Sequence, residues 1–279
     1  MDYRSSTFVS RVAYVANRSV RLLFFVLVPL FAQDNAAEWF RAGARSLQER
    51  IYAGAIGEFG QSLRINAAQP VANKMLGLAY LMQGRYDAAV EPFSQAARLA
   101  PKDPECWFFV GVAYYHLNFY AKAIAPLETA LRLNSKDFRF HQYMGLVLEA
   151  LGRPEPAALE FAEAVRLNGH REQPSAEPHL DYGVLLYKQD RIAESEVQMR
   201  AAIKLNDSLW QPHFELGKIL NRLGRPGEAI EQLEAALATG GAPAVDTARV
   251  NRLLGQICIQ NGREQEGRRA LARAEELQQ

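Results

Sequence analysis

The residues best suited to chemistry in this chain are its five histidines and two cysteines. His141, His179 and His213 are separated by 38 and 34 residues, and imidazole is the commonest metal ligand in proteins. His116 and His170 have no cysteine or carboxylate partner at ligand spacing. The one pattern that suggests a metal is therefore a ladder of three histidines. These histidines could bind one metal ion only if the fold brings their side chains close together.

Other chemical motifs do not occur in the sequence. Cys106 and Cys258 are too few for a disulfide framework or a zinc site. There is no Gly-x-Ser-x-Gly, no His-Glu-x-x-His and no phosphate-binding Gly-x-x-x-x-Gly-Lys. Lys plus Arg total 32 and Asp plus Glu total 31, so the chain lacks the basic excess of a nucleic-acid binder. We therefore expect no catalysis, no cofactor, no metal and no nucleic-acid partner.

An internal repeat anchored on a glycine organises the chain. Leu-Gly-Leu-Ala-Tyr-Leu-Met-Gln-Gly at 76–84 recurs five times in related form, and a weaker first copy lies around Gly43. The anchors are spaced 34, 34, 38, 34 and 38 residues apart: Gly77, Gly111, Gly145, Gly183, Gly217 and Gly255. The predicted units lie near 36–69, 70–103, 104–137, 138–171, 176–209, 210–243 and 248–279.

Each unit has the pattern of two helices joined by a turn. Apolar and small residues recur at helical spacing, as in Leu76, Gly77 and Tyr80, and a Gly-Arg or Asn-Gly turn follows. A glycine costs a helix about 1 kcal/mol relative to alanine, so its recurrence predicts a close helix contact. Small residues are expected to meet it on the second helix: Ala89, Ala123, Ala157, Ser195 and Ala229.

This repeat resembles the tetratricopeptide repeat (TPR) family from about residue 36 to the C-terminus. The third unit carries most of the family pattern: Trp107, Gly111, Tyr114, Ala123 and Ala130. The resemblance implies an all-α, right-handed superhelical solenoid of about seven helix-turn-helix repeats. Successive repeats would lie about 10 Å apart, whereas zinc–nitrogen bonds are about 2 Å. The three histidines are therefore expected to replace the family's Trp as packing groups, and the cysteines are too far apart to form a bridge.

Deviations from the repeat predict a polar end and two longer loops. Inner second helices carry apolar residues, such as Ile124 and Leu131, where the last unit has Arg268 and Glu275. The last helix is therefore expected to be a polar cap. Four-residue insertions within Gly169–Glu177 and Thr239–Thr247 predict lengthened loops, with a hinge as the alternative.

In this family a further stripe on the first helices lines a concave face that binds peptides or partner proteins. Carried over unit by unit, the stripe predicts a groove that is apolar and aromatic in the middle and cationic at one end. Its ligand would be amphipathic or extended, with an acidic flank. The alternative is that the aromatic residues pack between successive first helices. The groove residues are Leu78, Leu81, Phe108, Val112, Tyr115, Tyr143, Leu146, Leu180, Val184, Tyr187, Phe214, Lys218, Arg222, Arg249 and Arg252.

One family subtype is disfavoured by the sequence. TPR repeats that bind the carboxylate tails of heat-shock chaperones use a Lys and an Asn on this stripe. Lys74 matches that pattern, but Leu78 stands at the position of the Asn.

Residues 1–32 are typical of a targeting segment. Four arginines precede an uncharged apolar run over 22–32, which matches the core of a secretory signal and is too short to span a membrane comfortably. Cleavage near Ala32 would export the chain, to the periplasm or outside the cell in a bacterium. Retention of residues 22–32 as a short membrane anchor is the alternative.

Together these features predict a noncatalytic scaffold or assembly factor that binds proteins or peptides outside the cytoplasm. The alternative is a noncatalytic regulatory or targeting subunit of an enzyme complex, tethered to the membrane if residues 1–32 remain attached.

Overall fold

The structure, a computed structural model, describes residues 35–278, and these contain fourteen helices and no strand. The chain divides into two compact units, each containing several repeats. Unit 1 ends at Asn118, and unit 2 begins at Phe119. Unit 1 contains α1 (35–48), α2 (Tyr52–Ile65), α3 (Pro70–Met82), α4 (Tyr86–Leu99) and α5 (Pro104–His116). Unit 2 contains α6 (Tyr120–Leu133), α7 (Phe138–Ala150), α8 (Pro154–Asn168), α9 (Glu177–Lys188), α10 (Ile192–Leu205), α11 (Trp210–Arg222), α12 (Pro226–Ala238), α13 (Ala244–Gln260) and α14 (Glu264–Glu276). The predicted all-α fold of about seven helix-turn-helix repeats is confirmed.

The anchoring glycines allow the two helices of a hairpin to approach closely, as predicted. A Cβ on Gly77 of α3 would lie 2.6 Å from the Phe93 ring of α4. The contacting group is mainly this large side chain, sixteen residues after the glycine, rather than the small residue that the sequence suggested. The small residue also contributes: the Ser195 hydroxyl donates to the Gly183 carbonyl at 2.6 Å, and a Cβ on Gly217 would lie 3.3 Å from the Ala229 carbonyl. The glycine therefore sets the depth at which the second helix packs.

The turn inside each hairpin uses one residue with a left-handed backbone. In the fourth repeat that residue is Gly152, with φ of 70°, and the Arg153 N–H donates to the Leu148 carbonyl at 2.9 Å. This bond satisfies a carbonyl that the helix end would otherwise leave unpaired. The equivalent residues are Arg50, Gly84, Asn118, Asp190, Gly224 and Gly262.

The two insertions have different structures. In the first, the buried Asn168 amide donates to the Ser175 carbonyl at 2.7 Å, and its carbonyl accepts from the Ser175 N–H at 2.9 Å. This reciprocal pair holds the 169–176 loop to the end of α8. The second insertion is only partly a loop, because α13 already begins at Ala244. The lengthened loop therefore covers residues 239–243 of the predicted range.

The polar residues of the last helix lie in solvent. Arg268 and Glu275 are exposed on α14, whereas Ile230 is buried at the equivalent position in the preceding repeat. Across residues 35–278, no helix combines the length and apolar character needed to cross a membrane. The predicted signal or anchor over residues 1–32 lies outside the described residues.

Candidate partner-binding face

The predicted groove residues of unit 1 are largely covered. Phe108 and Val112 are each only 3% exposed, so neither offers a ligand appreciable surface. Leu78 and Leu81 are half-buried and pack against the cluster around Phe93. The burial of Phe108 and Val112 favours the packing alternative for these two residues.

Tyr115 and Lys74 complete this part of the face. The half-buried Tyr115 ring lies edge-on to His116, with ring centroids 5.3 Å apart. Lys74 is bound within unit 1 by Asp103 at 3.2 Å and Glu105 at 3.0 Å. Burial lowers the pKa of Lys74, but hydrogen bonds and charges from these two carboxylates raise it above its ordinary value overall. Its ammonium is thus already paired with carboxylates of the same chain.

The corresponding face of unit 2 carries a row of alternating cations and aromatic rings. The Lys218 ammonium of α11 lies 4.9 Å from the ring centroid of Tyr187 on α9. The Arg222 guanidinium approaches the same ring at 5.5 Å. Lys218 also faces the Phe214 ring at 5.6 Å, and Arg249 of α13 lies over that ring at 5.6 Å. We call this five-residue set, together with Arg252, the first-helix face of unit 2.

Phe214 supports this face from below. It is 7% exposed and belongs to the core cluster that contains Leu216, Val250 and Leu254. Its prediction as a contact surface for a ligand was therefore wrong, because α13 and the core cover most of the ring. The ring still contributes its π-face to two cations.

Three of the four cations predicted to bind an acidic ligand already have carboxylate partners. Lys218 pairs with Glu215 at 2.6 Å, and Arg222 pairs with Asp190 at 2.6 Å. Arg249 pairs with Asp246 on its own helix at 3.0 Å. The row is therefore close to electrically neutral, which the sequence did not predict.

Arg252 differs from the other cations of the face. It is exposed on α13, and no ion pair involves it among residues 35–278. Arg252 occupies the same repeat position as Phe214, because each lies three residues before the anchoring glycine of its repeat. It is the cation of this face that is most readily available to an incoming carboxylate.

Tyr143, Leu146 and Leu180 are half-buried on α7 and α9. Leu180 packs against the same core cluster as Phe214. These three side chains can present part of their surface at the α7 end of the face, where the prediction of an apolar region stays untested.

The sequence did not indicate two polar links between α7 and α9. The Gln142 amide donates to the Asp181 carboxylate at 2.6 Å, and Lys188 pairs with Glu149 at 2.7 Å. Burial raises the pKa of Asp181 to about 6, although the Gln142 hydrogen bond lowers it, and the charges of Glu149 and Glu177 add smaller upward contributions. Each link joins residues 39 positions apart, a spacing that only the stacking of repeats can reveal.

The histidine ladder ties each first helix to its second helix. Nδ1 of His141 lies 2.7 Å from Glu160, that of His179 lies 2.8 Å from Gln198, and that of His213 lies 2.9 Å from Gln232. Nε2 of His141 faces the Ser135 carbonyl at 3.1 Å, as the Trp107 indole N–H faces Pro101 at 3.0 Å. The histidines therefore stand at the Trp position, as predicted, and also form hydrogen bonds that the sequence analysis missed. These hydrogen bonds could have been predicted from a recurrent spacing, because Glu160, Gln198 and Gln232 each follow a histidine by nineteen residues.

The sequence matches the family model of the tetratricopeptide repeat over residues 45–104, 74–138, 110–177, 180–246 and 214–279. Because these matches cover most of the chain, the chain belongs to the tetratricopeptide repeat family. No curated protein matches the sequence.

Solved structures agree with this assignment. A chain of the APC/C hetero-tetramer Cut9–Hcn1 superposes with a TM-score of 0.70 at 19% identity, over 80% of this chain and 43% of that one. This chain thus spans less than half the length of that neighbour. PilF from Pseudomonas aeruginosa gives 0.64 at 20% identity, over 74% and 88% of the two chains. A TPR protein from Parabacteroides merdae gives 0.64 at 17% identity, over 88% and 93%.

Proposed function

We propose that this chain is a noncatalytic scaffold that acts outside the cytoplasm and binds a segment of a partner protein on the first-helix face of unit 2. The observation that carries the proposal is the cation–aromatic row, which joins α9, α11 and α13 at distances of 4.9 to 5.6 Å. Tyrosine and arginine are enriched among the residues that dominate binding energies at protein interfaces. A row of this kind offers a peptide both ring surface and hydrogen-bond donors.

The ion pairs on this face do not prevent an acidic segment from binding. The Asp190 side chain that pairs with Arg222 is 74% exposed. Exposed ion pairs contribute only about 0–1 kcal/mol, so a ligand carboxylate can replace Asp190 at little cost. Arg252 supplies a second cation at the α13 end of the row. The ligand is therefore an extended or amphipathic segment whose acidic residues lie near Arg222 and Arg252.

The proposed location rests on the N-terminal sequence. A basic leader followed by an uncharged apolar run over 22–32 is the pattern of a secretory signal. Sequencing the mature N-terminus of protein purified from its native host tests this. A start close to residue 33 supports export, and a retained Met1 would favour the short membrane anchor instead.

Photo-crosslinking tests the binding face. A photoreactive residue placed at Tyr143, at the α7 end of the face, is expected to capture a reproducible partner in the native host. The matched control is the same residue at Leu159, which is exposed on second helix α8. Arg222→Glu with Arg252→Glu should abolish the crosslink, whereas Arg200→Glu, an exposed reversal on second helix α10, should not. Crosslinks from position 159 alone, or a partner that survives the double reversal in a folded chain, would overturn the proposal.

A further inference from the structure

A second candidate site lies in unit 2 and shares no residue with the first-helix face. Its lining comes from second helices α12 and α14 and from α13 between them, and it encloses about 190 Å³. Its apolar floor is made by Leu254, Cys258 and Ala270, all of them buried. We call this pocket the repeat 6–7 seam.

Asn251 lines the seam, and its buried side chain contains an unsatisfied acceptor. The residue is 3% exposed, and its amide nitrogen donates to the Thr247 carbonyl at 2.9 Å. Its side-chain oxygen, Oδ1, has no hydrogen-bond partner among residues 35–278. A flipped amide would set Oδ1 against the Thr247 carbonyl, so the orientation is fixed. A buried acceptor without a partner typically costs about 1–3 kcal/mol.

The three preceding repeats show why this acceptor lacks a partner. Asn251 occupies the same repeat position as His141, His179 and His213. In those repeats a long polar side chain nineteen residues later reaches the ring: Glu160, Gln198 and Gln232. The residue nineteen positions after Asn251 is Ala270, whose methyl group cannot form a hydrogen bond. The chain thus omits here the internal partner that it supplies three times elsewhere.

The walls of the seam carry charges of both signs. Arg269 and Arg273 lie one turn apart on exposed positions of α14, and no ion pair involves either among residues 35–278. Glu234 of α12 and Glu266 of α14, which pairs with Arg263, also line the seam. Two guanidinium groups side by side are well suited to a carboxylate.

We propose that the repeat 6–7 seam binds an extended segment of a partner protein through one amide side chain and one carboxylate. A Gln or Asn amide donates to Asn251 Oδ1, in the place where Gln198 and Gln232 act in the preceding repeats. The carboxylate lies against Arg269 and Arg273. The enclosed volume is several times the share of about 30 Å³ that one water takes in the liquid, so the seam has room for a side chain. This site goes beyond the proposed function, which does not use the seam.

The probe is a set of short synthetic peptides, acetylated and amidated, in which Gln and Glu are adjacent or separated by one alanine, in both orders. Binding to the full chain is followed by NMR through the side-chain amide signals of Asn251 and the backbone amide signals of Leu254 and Cys258, which also report on variants at position 251. At least one peptide is expected to shift these signals saturably. Replacing its Gln by Leu should weaken binding about tenfold or more, because Oδ1 is then left buried without a donor.

Two variants test the same contact from the side of the protein. Asn251→Leu keeps the volume but removes the acceptor, so it should abolish the preference for Gln over Leu. Ala270→Gln supplies the internal partner of the earlier repeats, so it should raise the melting temperature and abolish peptide binding. Arg273→Ala should weaken binding, whereas Arg268→Ala, an exposed arginine outside the seam, should not.

Two results would overturn the proposal. The first is that no peptide of the set shifts the Asn251 signals at millimolar concentration while Ala270→Gln still raises the melting temperature, which would mean that the seam holds water only. The second is that Asn251→Leu binds the peptides as the unmodified chain does. Both readouts are independent of Arg222 and Arg252, so failure here leaves the first-helix face untouched.

Discussion

Two seams of unit 2 occupy the same register of the repeat and differ in their side chains. The repeat 3–4 seam, between α6, α7 and α8, encloses about 330 Å³ and is lined by Ile124, Leu131, Met144, Leu148 and Glu160 among others. Its Glu160 carboxylate is bound by His141 at 2.7 Å. In the repeat 6–7 seam the equivalent pair is Asn251 and Ala270, which cannot bond to each other. Two positions per repeat thus decide whether a seam is satisfied internally or offers an acceptor to another molecule.

The backbone is similar at the two seams, and the side chains at two positions are what differ. Both seams follow from the same close approach of hairpin helices at a glycine: Gly145 in the fourth repeat and Gly255 in the seventh. Changes at the glycines or beneath them should therefore affect folding. Changes at the two variable positions should affect pH response and binding.

The largest effect is expected at Phe161, which is fully buried under Gly145. Phe161→Ala should lower the free energy of unfolding by about 3–5 kcal/mol, the usual cost of truncating a buried ring. Leu271, its partly buried equivalent in the seventh repeat, should cost clearly less when changed to alanine. Urea denaturation followed by circular dichroism measures both. Equal losses would contradict the expectation that the fully buried Phe161 contributes more packing energy to its hairpin than the partly buried Leu271 does.

The next effect concerns the glycines themselves. A Cβ at Gly255 would lie 2.7 Å from the Leu271 side chain and 2.9 Å from the backbone carbonyl of Gly267, whereas the three atoms nearest to a Cβ at Gly145 all belong to the Phe161 ring, the closest at 2.8 Å. Gly255→Ala should cost about 1–3 kcal/mol, because helices α13 and α14 must separate. Adding Phe161→Leu should partly relieve Gly145→Ala, but no side-chain change should relieve Gly255→Ala. The control is Gly227→Ala in α12, which has open space around it and should be neutral or stabilising.

A smaller effect follows from the charge of the His141–Glu160 pair. Burial lowers the pKa of His141, but bonds to Glu160 and the Ser135 carbonyl, with the charges of Glu160 and Glu163, raise it above its ordinary value overall. A raised folded-state pKa gives a stability that is fully present below the unfolded value of about 6.5 and is lost as pH rises through the folded value. Glu160→Gln, which copies the glutamine partners of the next two repeats, should flatten this part of the stability–pH curve. Melting temperatures across that range provide the measurement, and an unchanged slope would contradict the assignment.

The smallest effect is expected at Arg273. Because its side chain is exposed and has no ion-pair partner among residues 35–278, Arg273→Ala should change the free energy of unfolding by less than about 0.5 kcal/mol. A larger loss in urea denaturation would mean that the Arg273 guanidinium stabilises the fold through a partner within this chain. Arg273 would then not be available to a ligand carboxylate.

Much of the fold follows from local pattern. The recurrence of glycine, the turn residues and the helical spacing of apolar residues all act within one hairpin, so the sequence predicts them directly. The close approach at Gly77 is an example, although the sequence did not show that Phe93 would be the group that fills it. The side chain sixteen residues later varies between Phe, Met and Leu, and that variation concealed its shared role.

The candidate face was harder to predict because it depends on neighbouring repeats. The resemblance to the family placed Phe214 on the groove stripe, but the ring is buried in a core cluster that includes Val250 and Leu254 of α13. Arg222 is exposed, as predicted, but its partner Asp190 lies in the turn of another hairpin. Helical periodicity relates residues within one helix, so it could not indicate this ion pair. Burial and charge pairing between repeats are properties of the stack.

The reciprocal bond between Asn168 and Ser175 has a practical consequence for engineering the chain. Foreign sequence inserted into the 169–176 loop would separate these two residues and leave a buried amide without its partners. The loop at Gly240 and Gly241 is exposed, and a Cβ at either glycine would have open space around it. Exposed loop tips tolerate insertion best. A reporter or an affinity tag therefore belongs between Gly240 and Gly241, where it can be added without disturbing how the neighbouring hairpins are joined.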